Sequence, residues 1–225
     1  MNYQANAATY QPAYAQTVSF INKVYGLMST ALLLTALAAW FTSASVSPGA
    51  VYSLRIPALI FEVILVLALS FAATKMPPAA ALLCFYLYAA VNGFTLSILF
   101  YVFSASSIAS TFLVTGASFG AMTVYGTITK RDLTSIGNLL FMALIGIIIA
   151  SVVNIFLRSN GLDMAISIIG VIVFAGLTTY DTQKIKTIAQ HGINDTGIAI
   201  LGALTLYLDF INLFLYLLRL FGKKR

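Results

Sequence analysis

The chain has 225 residues, of which 60% are hydrophobic and only 8% are charged, whereas soluble domains are about 25% charged. A soluble fold of this length buries about 70–75% of its chain surface and needs a polar exterior that these residues cannot supply. The composition therefore excludes a water-soluble protein and predicts lipid as the solvent.

The formal charge is +6, but the basic residues fall between and beside apolar segments and form no extended stripe. This distribution favours anionic lipid head groups over nucleic acid as the partner. The single cysteine, Cys84, has no second cysteine to pair with, so neither an intrachain disulfide nor a thiolate metal site is expected.

Residues 1 to 18 form a polar, uncharged segment that lacks the basic start and cleavage site of a signal peptide, so we predict a loosely held tail. Seven apolar segments follow, each near the length of about 20 residues that a membrane-spanning helix needs. The breaks between them are short, so consecutive helices are expected to be antiparallel neighbours. The segments run Phe20 to Thr42, Ile56 to Thr74, Ala79 to Phe103, Ile108 to Ile128, Leu133 to Leu157, Met164 to Asp181, and Ile198 to Phe221.

The fold class predicted from this pattern is an all-α polytopic membrane protein. Its seven-segment transmembrane domain covers residues 19–222, and a basic tail covers residues 223–225. Tyrosine and phenylalanine are interpreted as interfacial belts and lipid-facing packing. Five glycines are interpreted as close helix contacts: Gly93, Gly116, Gly120, Gly170 and Gly176.

Lysine and arginine counts do not by themselves orient the chain. Seven full crossings place six basic residues on each side, whereas a last segment that enters and returns leaves only Arg55 and Arg158 outside. We predict a cytoplasmic N-terminus and a cytoplasmic loop at Lys130 and Arg131. The side of the C-terminus stays open.

Three of the six acids lie within apolar segments, where each charge costs roughly 2.5 kcal/mol or more at the membrane centre. Asp209 has no basic residue within nine positions on either side, so it must be protonated, paired across helices or facing water. Asn212 lies on the same helical face and is predicted to support it. The other three acids, in the loops, are expected to be solvated: Asp132, Asp163 and Asp195.

Asp181 lies near the end of the sixth segment, where it either pairs with Lys184 three residues on or meets Asp209. Two carboxylates in contact cannot easily both ionise, so such a pair would hold one proton and act as a pH-sensitive latch. Glu62 either belongs to a polar ion path or is a protonated acid bonded to a hydroxyl or to an amide such as that of Asn92.

Two motifs go beyond composition. The segment GLTTYDTQKI at 176–185, followed by LYLDFINLFLYLLRLFG at 206–222, closely resembles the paired signature of the Bax inhibitor family. The run KRDLTSIGNLL at 130–140 and the acid in the second segment also resemble the bacterial members of that family.

The resemblance implies a bundle of seven helices with the last helix near the centre, in a bacterial inner membrane. It also implies a pH-sensitive calcium leak, in which Asp181 and Asp209 form a proton-sensing dyad and Glu62 lines the cation path. Some relatives carry a latching arginine at the end of the second helix, and the residue that stands there in this chain is Lys75.

The leading hypothesis is therefore a proton-regulated calcium leak in which Glu62 and Asp209 offer transient oxygen ligands to calcium, with no resident cofactor. A first alternative is an intramembrane aspartyl protease, since Tyr180 and Asp181 form a Tyr-Asp pair. Asp209, however, follows Leu206-Tyr207-Leu208 and lacks the Gly-x-Gly-Asp motif of presenilin-type proteases, so no enzyme is predicted. A second alternative is a regulator that binds other membrane proteins and transports nothing, whose partners the sequence does not identify.

Overall fold

A computed structural model describes residues 3–193 and 195–225, with side chains from Ala15 onward. Within these residues the chain forms eight α-helices and no extended strand, which confirms the all-α prediction. The helices are α1 (Tyr3–Ser45), α2 (Pro48–Ala72), α3 (Pro78–Leu96), α4 (Leu99–Val102), α5 (Ala105–Ile128), α6 (Thr134–Leu157), α7 (Asn160–Gln190) and α8 (Thr196–Phe221).

The seven predicted spans are present. Counting α3 and α4 as one span, the described residues contain seven helical segments of 24 to 31 residues that are long and apolar enough to cross a membrane. The chain is thus a multi-pass integral membrane protein. The predicted tail over residues 1 to 18 falls, for its first fourteen residues, outside the described side chains and stays a prediction.

Several helices extend beyond their predicted ends, among them α2 and α7. Helix α2 begins at Pro48 instead of Ile56, because the Ser47 side chain accepts a hydrogen bond from the Ala50 amide at 3.4 Å and Pro48 suits the first turn of a helix. Helix α7 continues nine residues past Asp181, to Gln190. The segment that looked like a polar loop is therefore largely helical.

The three acids outside the apolar segments lie at helix starts. Asp195 accepts from the Ile198 amide at 2.9 Å, and Asp163 lies in the first turn of α7, where it pairs with Arg219 at 3.2 Å. Asp132 accepts from the hydroxyl and the amide of Thr134 at 2.6 and 2.9 Å, and these bonds hold the pKa of Asp132 below its usual value. Asp132 and Asp195 are exposed, and Asp163 is partly exposed, with 46% of its side-chain surface accessible.

Glycines allow close helix approach at three of the five predicted positions. A Cβ atom at Gly93 would lie 2.5 Å from the carbonyl oxygen of Thr35, and Gly170 and Gly176 face neighbouring side chains at similarly short distances. The prediction was wrong for two glycines, where a Cβ atom would meet nothing within 4 Å because these faces are open: Gly116 and Gly120.

The chain divides into two compact units. The first contains α1, α2, α3 and residues Lys184–Tyr207, and the second contains Val102–Gln183 and Leu208–Arg225. Helix α8 therefore contributes residues to both units. It is also the most buried span, with 61% of its apolar window buried against 6% for α6. The central position of the last helix stays a prediction.

The C-terminal tail is anchored at the start of α5. The Arg225 amide donates to the carbonyl of Val102 at 2.9 Å, and the Ser104 amide donates to that of Lys223 at 3.1 Å. Helix α8 runs without a break for 26 residues, about 39 Å, which is enough for a complete crossing. The structure thus departs from the re-entrant alternative and places the tail at the opposite end of α5 from Lys130.

Candidate functional site

Glu62 lies in the first unit, on the buried face of α2, where it is 7% exposed. Asn92 and Thr95 lie one turn apart on α3 and therefore face it together. The Asn92 amide donates to Oε2 of Glu62 at 2.9 Å, and the Thr95 hydroxyl donates to Oε1 at 2.7 Å. Both carboxylate oxygens are thus bonded to neutral donors from one neighbouring helix.

The polar contacts continue away from the carboxylate. The Tyr207 hydroxyl, from α8, donates to Oδ1 of Asn92 at 2.9 Å, and it lies 2.7 Å from the hydroxyl of Thr35 on α1. All of these side chains are buried, and Tyr207 is 0% exposed. We call the five residues Thr35, Tyr207, Asn92, Glu62 and Thr95 the Glu62 network.

Aromatic packing holds Tyr207 in place. Its ring makes edge contacts with those of Phe85 and Tyr88, at centroid distances of 6.0 and 5.6 Å. Gly93 lets α3 approach the backbone of α1 at Thr35, which brings Asn92 and Thr35 to the same tyrosine. Sequence places these network residues up to 172 positions apart, and the packing of four helices brings them together.

Asp181 and Asp209 both lie in the second unit and are 9% and 4% exposed. Their carboxyl groups lie close enough to interact with each other. Two ionised carboxylates are acceptors only, so a hydrogen bond between them requires a proton on one. Among the described residues, Oδ2 of Asp209 is buried without any hydrogen-bond partner. We call Asp181 and Asp209 the aspartate pair.

The signature around Asp181 is fixed to the loop between α5 and α6. The side chain of Gln183 accepts from the Leu133 amide at 3.0 Å and donates to the Arg131 carbonyl at 2.8 Å. The ring of Tyr180 packs on Gly137 in the first two turns of α6, where a Cβ atom would come within 2.5 Å of it. The run at 130–140 therefore contacts the signature segment at 176–185 on both sides of Asp181.

Two other predicted residues have different surroundings. The amide of Asn212 donates to the Leu208 carbonyl of its own helix at 2.8 Å, so its hydrogen bond does not go to Asp209. Lys75, the predicted latch, is exposed just beyond the end of α2, and its latching role stays a prediction.

Within the described residues, no three His, Cys, Asp or Glu side chains gather in one place. Calcium takes six to eight oxygen ligands, so a transient calcium ion at Glu62 or Asp209 would have to keep water or recruit carbonyl and hydroxyl oxygens. A groove of about 400 Å³ between α2 and α3 offers no such ligands, because its lining is apolar and includes Pro57, Phe61 and Phe94.

Sequence reasoning missed Thr95, Tyr207 and Gln183. Thr95 carries a signal, since it lies three residues after Asn92 and shares its face, but hydroxyls are common in membrane helices. Tyr207 was interpreted as one of many belt or lipid-facing aromatics, and this is wrong because its ring is fully buried. Gln183 lies in the signature and carried no assigned role.

Comparisons with known proteins extend along nearly the whole chain. Residues 17–225 match the family described as Inhibitor of apoptosis-promoting Bax1. The Inner membrane protein YbhL of Escherichia coli strain K12 is 50% identical over 219 residues, with 92% of each chain covered. A protein of Borreliella burgdorferi is 46% identical over 214 residues, again with 92% of each chain covered. A membrane protein of Streptococcus pyogenes serotype M3 is 45% identical over 168 residues, which cover 74% of this chain and 73% of its own.

Proposed function

Because the chain belongs to the Bax inhibitor family, we propose that it is a proton-regulated calcium leak of a bacterial inner membrane. The observation that carries the proposal is the aspartate pair, two buried acids that face each other in an integral membrane protein. The inner membrane is proposed from the name of the Escherichia coli relative.

The aspartate pair suits proton sensing for an electrostatic reason. Like charges at hydrogen-bond distance in a site of low dielectric repel strongly, so the pair titrates as one unit and not as two independent acids. A proton between the carboxyl groups removes one negative charge and joins α7 to α8. Its loss leaves two charges that separate or bind a cation, and a cation path beside them then changes with pH.

Glu62 supplies the second part of the proposal. Within the described residues, no basic nitrogen lies within salt-bridge distance of its carboxylate. Carboxylate oxygens are the hard ligands that calcium prefers, and a buried negative charge lowers the cost of bringing a cation into an apolar segment. We therefore assign Glu62 to the ion path and the aspartate pair to its regulation by protons.

The test is calcium entry into vesicles that contain the purified protein, measured with an enclosed indicator across a series of pH values. Parent protein is expected to give a flux that changes with pH. Asp181→Asn and Asp209→Asn keep most of the side-chain volume, and each is expected to remove most of that pH dependence. The double variant should add little, because the two residues act as one unit.

Asp163→Asn is the matched control, since it makes the same substitution at a partly exposed acid in the same unit and should keep the response of the parent. If parent vesicles take up no more calcium than empty vesicles at any pH, the leak is wrong and a regulator that transports nothing is favoured. If both single variants keep the full pH response, the aspartate pair is not the proton sensor.

A further inference from the structure

We infer that Tyr207 is a positioning residue, which fixes the side-chain amide of Asn92 so that Glu62 is held as a carboxylate within the apolar first unit. The inference concerns the same Glu62 as the proposed function but goes beyond it. It holds whether or not the protein conducts calcium, and its test measures no flux.

Counting the available hydrogens shows which group donates in the contacts that lead to Glu62. Oδ1 of Asn92 has no hydrogen, so the contact of 2.9 Å with Tyr207 uses the single hydroxyl hydrogen of the tyrosine. The shorter contact of 2.7 Å with Thr35 can then be donated only by the threonine, whose single hydrogen also has the carbonyl oxygens of Ala89 and Ala31 in reach, at 2.8 and 3.0 Å. The two steps with a settled donor run from Tyr207 to Asn92 and from Asn92 to Oε2 of Glu62.

A chain of hydrogen bonds donated in this direction favours a negative charge on Glu62. Each hydrogen bond polarises the next, and a donor bonded to a charged acceptor is roughly twice as strong as one bonded to a neutral acceptor. With its oxygen held by Tyr207, the Asn92 amide is locked with its NH2 group toward Glu62. Without that lock, the amide can turn and offer its oxygen to a protonated Glu62 instead.

The other carboxylate oxygen tolerates both protonation states. The Thr95 hydroxyl has one hydrogen and two acceptors in reach, Oε1 of Glu62 at 2.7 Å and the carbonyl of Asn92 at 2.9 Å. When Glu62 gains a proton on Oε1, that proton can be donated to Thr95, whose own hydrogen turns to the carbonyl. Only hydrogens move, so the heavy atoms of the Glu62 network serve the charged and the neutral acid alike.

Few other ionisable groups affect this carboxylate. Tyr88 on α3 and Tyr207 on α8 interact with it electrostatically, and α1 contributes only the neutral Thr35 to the network. Within the described residues, Glu62 is in no ion pair. Oriented neutral donors therefore take the place of a basic partner.

The experiment is infrared spectroscopy of the purified protein across a pH series. The protonated-carboxyl band of Glu62 is assigned by its loss in Glu62→Gln. In Tyr207→Phe, the pH at which half of this band remains is expected to rise by about one unit, since one charge-assisted contact is weakened and one unit corresponds to a tenfold change. Tyr88→Phe is the matched control, because the Tyr88 hydroxyl makes no hydrogen bond with a described residue, and its shift should be much smaller.

An unchanged or lowered midpoint in Tyr207→Phe overturns the inference, because it means that the amide faces Glu62 with its oxygen or turns freely. A shift of equal size in Tyr88→Phe also overturns it, since aromatic packing would then be the cause. If Tyr207→Phe does not fold, Asn92→Leu removes the amide that Tyr207 is inferred to orient and leaves the tyrosine in place. It should raise the midpoint by at least as much as expected for Tyr207→Phe, and no rise overturns the inference.

Discussion

Glu62 and Asp209 are both nearly fully buried in apolar helices, at 7% and 4% exposure, but their oxygens meet opposite surroundings. Both oxygens of Glu62 accept hydrogen bonds from neutral groups. One of these groups, the Asn92 amide, accepts in turn from the Tyr207 hydroxyl. Asp209 faces a second acid, and one of its oxygens has no partner among the described residues.

The difference shows two ways in which an apolar segment accommodates an acid. Oriented donors can stabilise a charge without a basic residue, as at Glu62. A second acid does the reverse, because the two groups can share a hydrogen bond only while one of them keeps its proton. The first arrangement suits a constant charge, whereas the second suits a charge that changes with pH.

The largest effect is expected from Gly93→Ala, which disrupts the Glu62 network and leaves the aspartate pair unchanged. The new methyl carbon would lie 2.5 Å from the Thr35 carbonyl oxygen and 2.6 Å from the Cβ atom of Ala38. Neither atom is the far end of a flexible side chain, so α1 and α3 must separate. We expect a loss of about 1–3 kcal/mol or more in the free energy of unfolding, seen as a lower melting temperature in detergent.

Gly116→Ala is the control for that prediction, since its methyl group would meet nothing within 4 Å. It should melt within experimental error of the parent protein. Equal melting temperatures for both variants would show that α1 and α3 are not held as closely as the structure has them.

Glu62→Gln sharpens the comparison, because it removes charge and keeps shape. The glutamine amide can donate to the Thr95 hydroxyl while its oxygen accepts from Asn92, as the protonated acid would. Folding should therefore be unchanged, and calcium flux should fall about tenfold or more wherever Glu62 of the parent protein is ionised, whereas Asp209→Asn should alter the pH profile. Equal flux in Glu62→Gln and parent vesicles, at matched protein content, would give Glu62 a structural role only.

Thr95→Val tests one oxygen of the same carboxylate and should have a smaller effect. The valine matches the threonine in shape but leaves Oε1 without a donor, which costs about 1–3 kcal/mol for a buried polar group. Calcium flux near neutral pH should fall several-fold, and Thr95→Ser should restore it. Failure of serine to restore flux would point to packing and not to the hydroxyl.

The smallest effect is expected outside both sites, at Asp132. Its pKa is lowered by the two bonds from Thr134, so the stability that it contributes is present above the pKa of the unfolded chain. That contribution is lost as the pH falls through the lower pKa of the folded protein. Thr134→Ala should reduce the melting temperature slightly at neutral pH and make little difference under strongly acidic conditions.

The sequence was sufficient for the seven spans and for the acids, because both follow from the cost of polar groups in lipid. A run of about 20 apolar residues or a buried aspartate is visible without any knowledge of packing. The predicted start of α2 at Ile56 is wrong because Ser47 and Pro48, which both suit a helix start, were assigned to a loop.

The Glu62 network was beyond sequence reasoning for a different reason. Tyr207 and Asn92 are 115 positions apart, and nothing local distinguishes this tyrosine from the others in the chain. Gly116 and Gly120 are the opposite case: their spacing is typical of glycines at helix contacts, but both face open space. Which face of a helix meets a neighbour depends on packing, and periodicity alone does not determine it.

The unbroken α8 also has a consequence for biosynthesis. With seven complete crossings, six lysines and arginines fall on each side of the membrane. The positive-inside rule then favours neither orientation. One added lysine or arginine then gives one side the larger count, and the positive-inside rule favours that side as the cytoplasmic one. A purification tag joined to Arg225 therefore has to be chosen by its charge, because it can change which way the whole protein faces.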